Sequence, residues 1–189
     1  MIIGIDPGLD GAVCFYNEES HSIHYEILPT YKLKAKGKTK SGKEKEQRHL
    51  DVKEFKNILE RNIKNQDRII CMLEDVHSLH GVASNATFNF GKIVGQIQAT
   101  LLCLDIEYNL VAPKTWQKEV WKEFDVVMTP ERINKKGKKV KSKVDTKATS
   151  ANACRRIYTD LNITFNKNGI PHDGIIDAVL IMHFAKIQI

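Results

Sequence analysis

The chain has no apolar run approaching the ~18 residues that cross a bilayer. Its first residues also lack the basic region, long apolar stretch and small-residue cleavage site of a secretion signal. A soluble, intracellular protein with no membrane partner is the expectation. Cysteine is scarce: Cys14, Cys71, Cys103 and Cys154 lie far apart, form no CxxC pair and mostly have apolar neighbours. That pattern points to reduced core thiols rather than a zinc site or a disulfide framework. No internal repeat is visible. At 189 residues the chain is long enough to bury a core without such staples, and is expected to be one domain, 1–189, with insertions.

Charge is plentiful and unevenly placed. KLKAKGKTKSGKEKEQR (Lys32 to Arg48) and ERINKKGKKVKSKVDTK (Glu131 to Lys147) each hold eight basic and two acidic residues, so each carries +6. The rest of the chain holds 13 basic and 19 acidic residues, a charge of −6. An acidic or near-neutral body with two cationic loops suits nucleic acid, because neutralising phosphates releases counterions whatever the base sequence. Two solvated lysine-rich insertions on an unrelated globule would look the same.

Hydrophobic patterning gives the element order. Residues 2–6, 11–17 and 21–28 read as three strands, the first two joined by PGLDG and the next pair by NEES. Leu50 to Ile63 has Phe55, Ile58, Leu59 and Ile63 on one helical face. RIICMLED (68–75) reads as a buried strand, followed by a helix from about Phe90 to Cys103 and a strand from Ile106 to Val111. Ala112-Pro113 opens a helix holding Trp116 and Trp121, and helices near 147–159 and 173–186 close the chain. Early strands followed by alternating helix and strand define an α/β fold, a mixed sheet with helices on its faces.

Candidate chemistry sits where apolar strands run into acids. Ile2, Ile3 and Ile5 lead directly to Asp6 before Pro7-Gly8; the acid either starts an Asx-Pro turn or needs a compensating charge. The strand at 68–74 repeats the pattern with Glu74 and Asp75. If the two strands are parallel neighbours, both acids leave at the C-terminal edge of the sheet, where open α/β sheets place their sites. In HDGIIDAVLIMHFA, Asp173 and Asp177 share one helical face, and Ile176, Val179, Leu180 and Phe184 are available to pack on the sheet. Asp173 alone would read as a cap or a first-turn acid. Four acids converging from three segments repel strongly unless cations lie between them, and such clusters bind two divalent ions for attack on a phosphodiester.

These pieces together resemble the RuvC-like Holliday junction resolvases of the ribonuclease H-like superfamily, in particular the phage, viral and organellar branch. The matching stretches are IGIDPGLDGAV, IICMLEDV, FNFGKIVGQIQ with VAPKTWQK, and HDGIIDAVLI, in that order, leaving mainly the two basic segments outside. The resemblance implies a ribonuclease H-like five-stranded sheet flanked by helices. It also implies a magnesium-dependent endonuclease with Asp6, Glu74, Asp173 and Asp177 as ligands of two Mg2+ ions, for which Mn2+ can substitute. Bacterial members space the last pair three apart, whereas here the spacing is four, as in organellar and phage relatives. Lys147, at the start of a helix, is similar to the lysine near the scissile phosphate of related resolvases. The implied reaction is paired symmetric nicking of four-way branched DNA by a homodimer, leaving 5′ phosphate and 3′ hydroxyl ends.

Phe88 and Phe90 are candidates for stacking on bases, or for core packing where their helix begins. Bacterial relatives carry an aromatic wedge three residues after the glutamate, and that position is His77 here. His77 and His80 could ligate a metal or be plain loop residues. Ile93, Ile97 and Leu101 offer either a dimer surface or a core face. Competing functions are a ribonuclease H-like nuclease acting on RNA or other branched DNA, a nucleic-acid-binding module without catalysis, and a fragment of an actin-like kinase. The kinases need two such domains to enclose ATP.

Overall fold

The structure is a computed structural model, and it describes residues 1–38, 42–75, 84–133, 137–163 and 170–189. In chain order the strands are β1 (Ile2–Ile5), β2 (Ala12–Tyr16), β3 (Ile23–Ile27), β4 (Thr30–Lys38), β5 (Glu44–Leu50), β6 (Ile70–Glu74), β7 (Tyr108–Val111), β8 (Arg132–Ile133) and β9 (Lys139–Val140). The helices are α1 (Val52–Ile63), α2 (Ser84–Cys103), α3 (Pro113–Val120), α4 (Thr146–Ile157) and α5 (Asp173–Ile187). No helix among the described residues is long and apolar enough to cross a membrane.

A five-stranded sheet of order β3-β2-β1-β6-β7 forms the centre. The hairpin pairs are antiparallel, while β1–β6 and β6–β7 are parallel. This is the mixed sheet with helices on its faces expected from the order of elements. Strand β1 is buried along its whole length because both faces of the sheet are covered, which explains its unbroken apolar run. Ile3, Ile5, Phe15 and Leu73 pack with Phe55 and Leu59 of α1 and Ile97 and Leu101 of α2. On the other face Ile2, Cys14 and Met72 meet Trp116 of α3, Cys154 of α4 and most of α5.

Helix α5 is more deeply enclosed than a one-sided stripe predicts. Ile175, Ile181 and Met182 are buried together with the expected Ile176, Val179, Leu180 and Phe184, because α3 and α4 cover the side turned away from the sheet. It also lies very close to β1. A Cβ on Gly4 would fall 2.3 Å from the Met182 backbone nitrogen, so only glycine allows this crossing.

Several expectations need correction. The described residues of the first basic segment are not a loop: lysines alternate along β4, where Lys32 pairs with Glu46 at 3.0 Å and Lys34 with Glu44 at 2.8 Å across the β4–β5 hairpin. Alternating charge defeats an apolar-run reading of strands, yet cross-strand ion pairs suit a solvated ribbon. The second basic segment holds the short β8–β9 pair and runs into α4, which its Asp145 caps by accepting the Ala148 N–H at 3.1 Å. Helix α2 starts at Ser84 rather than near Phe90. Ile93, Ile97 and Leu101 are core residues under the sheet and present no dimer surface. Cys14, Cys71 and Cys154 are buried free thiols, and Cys103 is free but exposed.

Candidate active site

Parallel pairing of β1 with β6 positions the first two acids. Ile5 stands opposite Leu73, so the next residues, Asp6 and Glu74, leave the sheet side by side at its C-terminal edge. The third segment arrives through a backbone contact, an isolated parallel bridge between Gly11 in the β1–β2 turn and Gly174 in α5. No side chain fits there. A Cβ on Gly174 would lie 2.1 Å from the Asp10 carbonyl oxygen. This contact brings the first turn of α5, and with it Asp173 and Asp177, against the turn that follows Asp6. His172, not Asp173, caps the helix, its Nδ1 accepting the Ile175 N–H at 3.3 Å.

The electrostatics record how close the acids are. Burial pushes the Asp177 carboxyl up to about 8, the negative charges of Asp6 and Glu74 add to this, a hydrogen bond with Ser150 opposes it, and Asp173 adds further. Burial raises Glu74 to about 7, against the Trp116 indole N–H that donates to its Oε1 at 2.9 Å; Asp6 contributes the remaining repulsion. Asp6 is raised to about 6 by burial, with the Gly8 N–H opposing at 3.3 Å and Asp10 and Asp173 adding. The Asx-type turn at Asp6 therefore exists, and it does not offset the charge.

Lys147 reaches the same cluster. Its ammonium bonds Asp173, and that contact raises the lysine pKa, with Asp177 and Asp145 adding to it. All five predicted site residues thus come to one edge of the sheet. Among the described residues, no group of three or more His, Cys, Asp or Glu side chains stands arranged to hold one ion. The fit to a divalent cation is one of donor chemistry: four carboxylates, all oxygen, three of them with ionisation opposed by burial and mutual repulsion.

Two residues of this site escape a sequence reading. Trp116 and Ser150 hold Glu74 and Asp177, and both are buried. A tryptophan whose N–H must find a partner once buried is the available signal for the first; a serine in TSANAC offers none. Beyond the acids, Arg48 ties the base of the β4–β5 hairpin to the β1–β2 turn through Asp10 at 2.6 Å and the Leu9 carbonyl oxygen at 2.5 Å. Phe88 is 72% exposed, whereas Phe90 is half-buried. His77 and His80 lie outside the described residues.

No family model matches the chain, and no curated protein matches its sequence. Two solved structures resemble it in outline over its full length. Thermus thermophilus RuvC in complex with a Holliday junction substrate has a TM-score of 0.49 and 11% identity, covering 100% of this chain and 96% of that one. A second T. thermophilus RuvC structure has a TM-score of 0.48 and 10% identity.

Proposed function

We propose that this chain is a divalent-metal-dependent endonuclease that resolves four-way branched DNA by paired nicks, acting as a homodimer. The observation that carries the catalytic part is the meeting of Asp6, Glu74, Asp173 and Asp177 at one sheet edge, with three of the four held at raised pKa. Negative charge concentrated there calls for cations, and an all-oxygen donor set suits two Mg2+ ions, or Mn2+ in their place. When bound, such ions supply Lewis-acid stabilisation and an activated water for in-line attack on a phosphodiester.

The chain's own residues then have separable tasks. Asp6 directly follows a buried central strand, and Trp116 holds Oε1 of Glu74. Ser150 orients Asp177 through its hydrogen bond. Lys147, on the solvent side of Asp173, is available to a scissile phosphate. The two basic segments supply phosphate contacts. The choice of branched DNA rests on the ordered motif resemblance, and a two-fold substrate suits a two-fold enzyme.

One observation favours a second reading, a nucleic-acid-binding module without catalysis: Lys147 already neutralises part of Asp173. Cleavage of matched four-way junction, duplex and RNA:DNA hybrid substrates in magnesium separates the readings. Glu74→Gln keeps the shape and removes one charge, so junction cutting should fall by orders of magnitude while junction binding persists. Full activity of that variant would refute the metal site. Cutting of the hybrid in preference to the junction would move the enzyme to the RNA-directed nucleases.

A further inference from the structure

A cleft of about 490 Å³ opens where the β4–β5 hairpin, the β1–β2 turn and the first half of α2 meet. Nothing in the catalytic reading uses it. Leu9, Phe90 and Ile93 supply apolar walls, while Gln47, Arg48 and Asn89 contribute polar groups. Its size falls within the roughly 300–1,000 Å³ of small-molecule sites, and its lining has their usual composition of apolar walls with a few directional groups.

The chemistry of the lining narrows the occupant. Side-chain amides present a donor and an acceptor together, the pattern that matches the edge of a nucleobase, and guanidinium and phenyl planes stack on its face. Glu46 also borders the cleft, but Lys32 holds its carboxylate at 3.0 Å, which blunts repulsion toward a polyanion. The hairpin segment from Lys32 to Arg48 carries +6, so a nucleic acid is drawn to this side of the molecule.

Position supplies the second argument. Leu9 lies three residues beyond Asp6, and Arg48 clamps the hairpin to that same turn through Leu9 and Asp10. A strand with one phosphate at the acids would carry a neighbouring nucleotide to the mouth of the cleft. Bases inside a duplex have both faces stacked; only branch points, ends and single strands offer one free.

We propose that this cleft receives one unstacked nucleobase of the substrate beside the cut. The inference rests on the nuclease reading and adds a recognition site to it. The test places 2-aminopurine at successive positions through the branch of a four-way junction and records its fluorescence on binding in EDTA, where nothing is cut. One position near the crossover should respond. An abasic residue at that position should weaken binding roughly 5- to 150-fold, the range found for stacking a single base. Phe90→Ala and Gln47→Ala should remove both effects, and Phe90→Tyr should keep the fluorescence response. Gln47 is only half-buried on the hairpin, so its substitution stays informative if Phe90→Ala fails to fold. No responsive position, or a response of full size in both variants, would overturn the proposal. Junction cutting in magnesium without a responsive base would remove the cleft and leave the nuclease; a responsive base with no cutting of any substrate would support the cleft and remove the nuclease.

Discussion

Asp177→Asn should stabilise the metal-free protein, and the gain should grow with pH. The Asp177 carboxyl is raised from 3.8 to about 8, so between those values the folded state holds a proton that the unfolded chain has released. Its contribution to stability is therefore complete below about pH 4, is lost as pH climbs through about 8, and is constant above that. At roughly 1.4 kcal/mol per pH unit, the step from pH 6.5 to 8.5 removes on the order of 2 kcal/mol. In a chain of this length that is a fall in Tm of roughly 4–8 °C.

The window matters because another group works in the opposite direction at lower pH. Burial, with help from Lys186 and Arg156, lowers the His183 pKa below its usual 6.5, so stability gains from that group as pH rises, and the gain is finished near 6.5. Above it, Glu74 at about 7 adds a smaller loss in the same direction as Asp177. The assay is thermal unfolding in EDTA at pH 6.5, 7.5 and 8.5 for wild type and variant, repeated with magnesium. Wild type should lose stability over this range and regain it with magnesium at pH 8.5; the variant should lose less than half as much and respond less to the ion. Parallel Tm-against-pH curves for the two proteins would refute the picture of a buried Asp177 carboxyl crowded by its neighbouring acids.

Other perturbations probe separate parts of the structure. Trp116→Phe removes the donor to Glu74, so the carboxyl pKa should rise further; the acid limb of the pH–rate profile should move upward and the rate near pH 7 fall about tenfold, while binding in EDTA holds. Glu44→Gln with Glu46→Gln releases Lys34 and Lys32 from their partners, so DNA binding should tighten and the plot of log affinity against log salt should steepen by up to about two charges. Arg156→Ala leaves the buried Asp125, bonded to it at 2.8 Å, with the Lys122 N–H as its remaining donor, and should cost about 3 kcal/mol by urea unfolding without involving the acid cluster.

The sheet and its acids are legible in sequence because they depend on short-range rules. A run such as IIGID shows both a doubly buried strand and a charge at its end, and the parallel register then brings Asp6 and Glu74 level without further information. The β4–β5 hairpin is illegible by the same rules. Its strands are built of lysine and glutamate, which depress strand propensity, and its stability comes from cross-strand pairs such as Tyr31 with His49, 5.6 Å apart and stacked, that only the register reveals. The face of α2 with Ile93, Ile97 and Leu101 shows the converse weakness: an apolar stripe says that a surface is covered, but not by what.

The supporting residues were beyond reach for a further physical reason. Clustered carboxylates repeat a recognisable pattern, whereas the groups that hold them need only fill a space or donate one proton. Gly174 matters because a backbone passes within 2.1 Å of where its Cβ would be, and nothing in HDGIIDAV announces that neighbour. Ser150 matters because α4 runs along α5 at the level of Asp177. The consequence is a division of roles within the cluster. Asp6 and Glu74 are set by the sheet, while Asp173 and Asp177 arrive on a helix whose approach is fixed by the Gly11–Gly174 contact. A side chain at position 174 would push the helix outward, so the distance between the two pairs of acids is governed by packing at a glycine that carries no chemistry of its own.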